Sequence, residues 1–332
     1  MSSSMGLKVH RSRGETFRRR LVELEAFDRE RKIRSDEDHL YLPVLELDQR
    51  ALEDLASLGD FEVVDTDFEE AERKETVEEI LGRRAHFETV GDVAILDAPE
   101  RDAASAIMAV HRNVKTVISP KTPVVGEYRT RRFQIIAGEK KTVTVHKEHG
   151  LRYRVDLEKA YFTPRLGTER LRVAKLVSPG EVVFDMFAGV GPFSLLLAKR
   201  GAKVVAVDKN PDAVKLMREN AALNRIGDVE ILEGDAAVIA ERYENFADHV
   251  IMNLPHTSSG FLKEAIRIAK DGGIVHYYAI APEDDLYGQD TAFVEEAASA
   301  LGAKISILYR GIVRSYAPHH YNIVIDFEVR KP

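Results

Sequence analysis

The 332-residue chain contains no cysteine. That absence excludes disulfides, thiolate metal sites, iron–sulfur clusters and a cysteine nucleophile together. Its apolar runs fall far short of the roughly 20 residues that span a bilayer. The first residues, MSSSMGLKVHRSRGETF, carry no apolar signal core, so export is not expected and cytoplasmic residence is. Internal repeats and low-complexity tracts are also missing. What is there, 44% hydrophobic and 31% charged residues, is the composition of an ordinary globular protein, and the length implies two or three domains.

The net charge of −7 argues against a polyanionic partner, but its distribution does not. Between Arg101 and Lys175 there are 17 Lys/Arg against 7 Asp/Glu, whereas Asp60 to Ile80 holds 10 acidic and 2 basic residues. A basic middle in an acidic chain is either the footprint of a nucleic acid or a set of segregated solvated faces.

Hydrophobic periodicity divides the chain. Residues 1–70 read as a small α/β unit: strands at GLKVH, DHLYLP and FEVVDTD, helices at GETFRRRLVELEAF and LDQRALEDLASL. The acidic DFEEAERKETVEEI is a linker or exposed helix. Residues 71–157 read as a basic α+β unit whose KTVTVHKEHGLRYRVDL forms a hairpin turning at Glu148-His149-Gly150. Residues 158–332 alternate strand and helix: EVVFDMF, PFSLLLAKRG, KVVAVD, PDAVKLMRENAALNR, VEILEGD, HVIMNLP, FLKEAIRIAKDGG, GIVHYYAIA. The expectation is a doubly wound, Rossmann-like, mostly parallel sheet. Two final strands, KISILYRGIVRSYAP and YNIVIDFEVR, have no helix between them and should pair antiparallel, which favours a methyltransferase-type sheet over a dehydrogenase one.

The loop between the first strand and helix is Ala188-Gly189-Val190-Gly191-Pro192-Phe193. Gly189 permits a tight turn and Gly191 a close approach of backbone to ligand. The third glycine of the dinucleotide fingerprint is missing, and Pro192 removes an N–H that could hold a pyrophosphate. Asp208 ends the second strand, where a carboxylate accepts ribose hydroxyls. Asp235 ends the third, where it or its neighbour Ala236 meets an adenine amino group. Acid at the strand ends without a basic phosphate clamp fits S-adenosylmethionine better than NAD. Phe187 and Lys209, beside the same strand ends, complete the candidate cofactor set.

The fourth strand ends Asn253-Leu254-Pro255-His256. A side-chain amide there can bond a base edge or the amino-acid part of the cofactor. The second proline and stacking aromatic of adenine amino-methylating enzymes are absent, and without cysteine the covalent route to C5 of a pyrimidine is closed. Direct transfer to nitrogen or oxygen remains.

The segments YFTPRLGTERLRVAKLV, DMFAGVGPFS, MNLPH, GGIVHYYAI and VRSYAP together resemble the archaeal–eukaryotic tRNA (guanine-N1)-methyltransferase family, which acts on guanosine at position 37. The resemblance runs from about Val9 to Phe327. It implies that Glu169 is the base that takes the N1 proton and that Arg129, in GEYRTRRF, stabilises charge on O6. It implies that Asn253 holds the guanine, that Tyr161 and Pro255 flank cofactor and base, and that Arg170 contacts the cofactor carboxylate. It further implies a tRNA partner gripped at the anticodon loop and outer corner, no membrane, and a monomer. The histidine pairs His146/His149 and His319/His320 lack ligand partners, so they read as structural or RNA-contacting, with no metal expected. Tyr277-Tyr278 reads as core or pocket wall.

The same residues admit other readings. Glu169 also suits a helix N-terminus, the arginines suit phosphate contacts, and Asn253 could be a buried strand-end amide. The same sheet serves wybutosine-pathway aminocarboxypropyl transferases and dual-specificity methyltransferases acting on a wybutosine precursor. A tRNA-binding protein with a vestigial pocket would share it too.

Overall fold

A computed structural model describes residues 4–71, 75–123, 126 and 128–332. The chain divides into two compact units, 1–76 and 77–332. No helix among the described residues is long and apolar enough to cross a membrane.

In the first unit the strands are β1 (Ser4–His10), β2 (Arg34–Ser35), β3 (His39–Pro43) and β4 (Glu62–Thr66). They form an antiparallel sheet in the order β2-β3-β1-β4. Helices α1 (Gly14–Glu23) and α2 (Gln49–Ala56) cover it. Asp48 caps α2 by accepting from Ala51 N at 2.7 Å. Leu7, Val9, Phe17, Leu21, Leu42 and Leu55 close the core. Of the acidic segment that follows, residues 72–74 lie outside the described set, and a short helix α3 (Val77–Leu81) forms at its end.

The second unit opens with β5 (Phe87–Val90), β6 (Val93–Leu96), α4 (Arg101–Val110), β7 (Thr116–Pro120) and β8 (Phe133–Gly138), paired in that strand order. β7 and β8 are not among the strands expected from sequence. The expected hairpin is β9 (Val143–Glu148) and β10 (Leu151–Asp156), with His149 and Gly150 both at positive φ in the turn.

The remaining elements are α5 (Gly167–Leu176), β11 (Val182–Asp185), α6 (Pro192–Lys199), β12 (Lys203–Asp208), α7 (Pro211–Leu223), β13 (Val229–Glu233) and α8 (Ala236–Ala240). Then come β14 (Ala247–Met252), α9 (Leu262–Ile268), β15 (Ala269–Pro282), α10 (Gly288–Ser299), β16 (Lys304–Ala317) and β17 (His320–Arg330). The sheet order is β13-β12-β11-β14-β15-β17-β16, parallel through β15 and antiparallel at β17. The expected doubly wound sheet with an antiparallel closing hairpin is therefore present.

Alternation along β12 shows how both faces are buried: Val204 and Ala206 join the core beneath α5–α7, Val205 and Val207 the core beneath α8–α10. The first core also takes in Leu151, Tyr153 and Val155 of the hairpin and Val93, Ile118 and Phe133 of the preceding sheet. Asn220 of α7 and Asn224, the residue that caps its C-terminus, bond the main chain of Arg154 and Arg152 through both amide atoms. Four helical residues rise about 6.0 Å and two strand residues about 6.6 Å, so an i,i+4 asparagine pair matches alternate residues of a strand edge.

Two expectations are corrected. The helix read as FLKEAIRIAKDGG ends at Ile268, and Lys270–Gly273 belong to β15. The pairing jumps from Ala247↔Ala269 to His249↔Ile274, and Gly272 at φ 79° with Gly273 tight against the main chain make room for that irregularity. The third strand ends at Glu233 rather than Asp235: Gly234 turns the chain at φ 150°, and Asp235 caps α8 through Ala237 N at 2.9 Å.

Candidate active site

The carboxyl ends of β11, β12 and β14 face the glycine loop, the edge where doubly wound sheets bind ligands. Gly189 and Gly191 have φ of 57° and 88°, a region open to glycine. The space beside the two differs. A Cβ on Gly189 would meet only Tyr161 O, at 3.8 Å, so this is the residue with open space before it. A Cβ on Gly191 would press on Met217 at 2.8 Å, so that glycine serves helix packing. Pro192 begins α6 at its first turn.

Two carboxylates lie together behind this loop. Asp208 Oδ2 accepts from Gly189 N at 2.7 Å and Oδ1 from Asn210 N at 2.8 Å. Asp185 is 1% exposed; Ser194 donates to its Oδ2 at 2.6 Å, while Oδ1 is buried without a partner among the described residues. Burial first, then the neighbouring Asp208 charge, pushes Asp185 up to about 7 against its hydrogen bonds. Burial likewise raises Asp208. An orphaned carboxylate oxygen beside a second acid fits a cationic ligand carrying hydroxyl and ammonium donors. S-adenosylmethionine has that chemistry, and a pyrophosphate does not. Lys209 pairs with Asp235 at 3.1 Å, Ala236 is buried behind it, and Phe187 packs edge-on against Phe261 at 5.0 Å.

Outside the loop, Tyr161 is 41% exposed, and the Arg129 guanidinium lies 5.2 Å above its ring. Arg129 occupies the left-handed region at φ 53°, which costs a non-glycine residue free energy and aims its side chain back over Tyr161. The partly exposed Asn253 and Pro255 lead into His256, close enough to Arg129 for that charge, after partial burial, to lower the imidazole.

Glu169 sits in the first turn of α5 and is 8% exposed. It accepts from Tyr278 Oη at 2.6 Å and from Arg172 Nε and Nη2 at 2.8 and 2.7 Å. Sequence reasoning missed these partners. Tyr278 lies inside β15, and its carbonyl accepts from Ser258 Oγ at 2.6 Å, tying the Glu169 side to the loop that follows Asn253 and Pro255. Arg172 continues to Asp326 at 2.6 Å, Asp326 to His276 at 2.8 Å, and His276 to His249 at 3.1 Å. The only sequence signal was an acid three residues before a basic residue on one helix.

Arg170, expected at the cofactor carboxylate, is 1% exposed. Its guanidinium is committed to Glu148 at 2.7 and 2.5 Å and to Thr163 O at 3.1 Å. It pins the hairpin to the start of α5. A concavity of about 650 Å³ lined by Asp92, Asn113, Lys141, His146 and Lys147 lies elsewhere, on the hairpin side. Its Lys141 is paired with Asp92 and Glu139.

Comparison with known proteins now bears on the whole chain. The TRM5/TYW2 methyltransferase domain matches residues 144–307, the tRNA methyltransferase 5 N-terminal domain residues 6–51 and the TYW2 N-terminal domain residues 69–142. The tRNA (guanine(37)-N(1))-methyltransferase Trm5b of Pyrococcus abyssi is 42% identical over 98% of this chain and 99% of its own. The chain belongs to the TRM5/TYW2 methyltransferase family. A complex structure of aTrm5 and tRNALeu has 33% identity and a TM-score of 0.69, covering 98% of this chain and 99% of that one. The tRNA(Phe) (4-demethylwyosine(37)-C(7)) aminocarboxypropyltransferase of Pyrococcus horikoshii is 34% identical over 73% of this chain and 88% of its own. Within the TRM5/TYW2 family, full-length similarity including the N-terminal unit thus falls on the Trm5b side.

Proposed function

We propose that this enzyme methylates N1 of guanosine at position 37 of tRNA. S-adenosylmethionine is the methyl donor, and when bound it supplies an electrophilic methyl carbon on a sulfonium. Asp208 and Asp235 would take the ribose and adenine ends and Asp185 the ammonium, with Phe187, Gly189, Lys209 and Ala236 around them.

N1 of guanine carries a proton and is a poor nucleophile until that proton leaves. Glu169 accepts it, and Tyr278 and Arg172 hold the carboxylate in place while it waits. As the proton leaves, charge grows on O6, and the fixed Arg129 cation stabilises it. Asn253 holds the base edge; Tyr161 and Pro255 bound the pocket. A base in a tRNA loop must leave its stack to reach such a site.

One observation carries this reading. Hydrogen bonds join the loop after Asn253 to Glu169 through Tyr278, which ties the candidate base-holding amide's loop and the candidate general base into one network. In this proposal residues 1–70 touch the tRNA outer corner, the basic 71–157 region holds the anticodon arm and delivers Arg129, and 158–332 carries the chemistry, as a cytoplasmic monomer.

The test uses labelled S-adenosylmethionine and two unmodified tRNA transcripts differing only in guanosine or adenosine at position 37, with digestion and mass identification. N1-methylguanosine from the first alone supports the proposal. No label, or a heavier adduct on a precursor base, overturns it.

A further inference from the structure

One exposed aromatic beside the site has no part in the chemistry above. Strand β16 runs parallel to β15, because both pair antiparallel with β17. Its carboxyl end therefore lies on the same ligand-binding edge as the glycine loop. Tyr316 stands at that end, within a register shift between Ser315 and Ala317. Such a bulge re-aims a side chain that regular pleating would fix.

Tyr316 is 43% exposed, and its ring meets the His256 ring edge-on, with centroids 5.2 Å apart at 74°. His256 directly follows Pro255 and lies within reach of the Arg129 charge, and the Arg129 guanidinium lies over the Tyr161 ring. The outer wall therefore runs Tyr161, Arg129, His256, Tyr316, with exposed rings at both ends and a guanidinium between. In nucleic-acid readers, exposed aromatic faces are the surfaces on which unpaired bases stack.

We propose that Tyr316, braced by His256, is the stacking platform for a nucleotide flanking the target guanosine in the tRNA loop. The proposal rests on the tRNA reading above. It concerns binding of the neighbouring base, one ring further out than Arg129 and Tyr161. Tyr316 touches none of the reacting atoms and is a positioning residue.

The experiment measures tRNA affinity of the full-length protein by titration, for wild type, Tyr316→Ala and Tyr316→Phe. Three transcripts are used: intact, and abasic at the nucleotide on either side of the target. Tyr316→Ala should weaken binding of intact tRNA on the order of tenfold, with Tyr316→Phe close to wild type. One abasic transcript should bind wild type about as weakly as Tyr316→Ala binds intact tRNA, and combining the two should add little. S-adenosylmethionine affinity should be unchanged in both variants, which also reports an intact fold. Wild-type affinity in Tyr316→Ala, or full additivity with both abasic transcripts, overturns the platform. Wild-type protein that binds tRNA but transfers no methyl group defeats the catalytic reading alone, because the binding cycle needs no turnover.

Discussion

Tyr278 reaches from inside β15 to donate its hydroxyl to Glu169 Oε1 at 2.6 Å, joining residues 109 positions apart. Burial, and then the Glu169 carboxylate, pushes the Tyr278 phenol well above its ordinary range, so it remains a donor throughout the folded pH range. Tyr278→Phe keeps the ring and removes that bond. A hydrogen bond to a charged group is worth about 1.5–3 kcal/mol. Single-turnover methyl transfer should therefore fall about tenfold to a hundredfold, with S-adenosylmethionine affinity unchanged. A wild-type rate would remove Tyr278 from the support of the proposed base.

Methyl-donor binding should be linked to protons. Without ligand, burial and the adjacent Asp208 hold Asp185 up to about 7. A cationic ligand favours the ionised acid, so binding near neutral pH should release protons, and affinity should rise with pH until Asp185 is ionised before the ligand arrives. Titration calorimetry in buffers of different ionisation enthalpy reads this directly. Buffer-dependent heats near neutrality that disappear in Asp185→Asn are expected; heats independent of buffer would show that Asp185 does not face the ligand's positive charge.

Much of the catalytic sheet was legible because its strands are short apolar runs separated by punctuated helices: β11, β12 and β14 stand out as VVFD, KVVAVD and ADHVIM. Asp208 and the glycine loop followed from their place at strand ends. Tyr278, Asp326 and His276 were not legible as a network. Each is one residue in a buried strand, and only the antiparallel pairing of β15 with β17 brings His276 opposite Asp326. The partner of Arg170 was not legible for the same reason: Glu148 is 22 residues away, in a hairpin whose packing onto α5 no local pattern reveals.

That hairpin clasp should show in acid. Burial opposes ionisation of Glu148, but His146 and the Arg170 guanidinium overcome it and lower the carboxyl from 4.5 to about 2. A depressed folded value means the stabilisation is complete above the unfolded value and is lost as pH falls from about 4.5 towards 2, an amount of about 3 kcal/mol. Glu148→Gln leaves Arg170 buried without its charged partner and should cost about 3–5 kcal/mol near neutrality. Denaturant titrations across acid pH should show the gap to wild type narrowing through that window. A gap independent of pH would mean the pair contributes through packing alone.

The asparagine staple gives the sharpest structural prediction. Asn220 is fully buried; it accepts from Arg154 N at 2.6 Å and donates to Arg154 O at 3.0 Å and Val190 O at 3.1 Å. One side chain thus ties the hairpin edge to the carbonyl of Val190, inside the glycine loop. Asn220→Ala removes the partner of the Arg154 N–H and weakens two carbonyls, at about 1–3 kcal/mol for each buried group left unsatisfied. The variant should unfold about 2–4 kcal/mol more easily, and hydrogen exchange at the Arg154 amide should accelerate while amides of the first unit keep their wild-type rates. Because Val190 also loses its donor, S-adenosylmethionine affinity should fall in Asn220→Ala but hold in Asn224→Ala, whose side chain reaches only Arg152 and its own helix. Equal losses in the two variants would show that the staple supports the hairpin without shaping the loop.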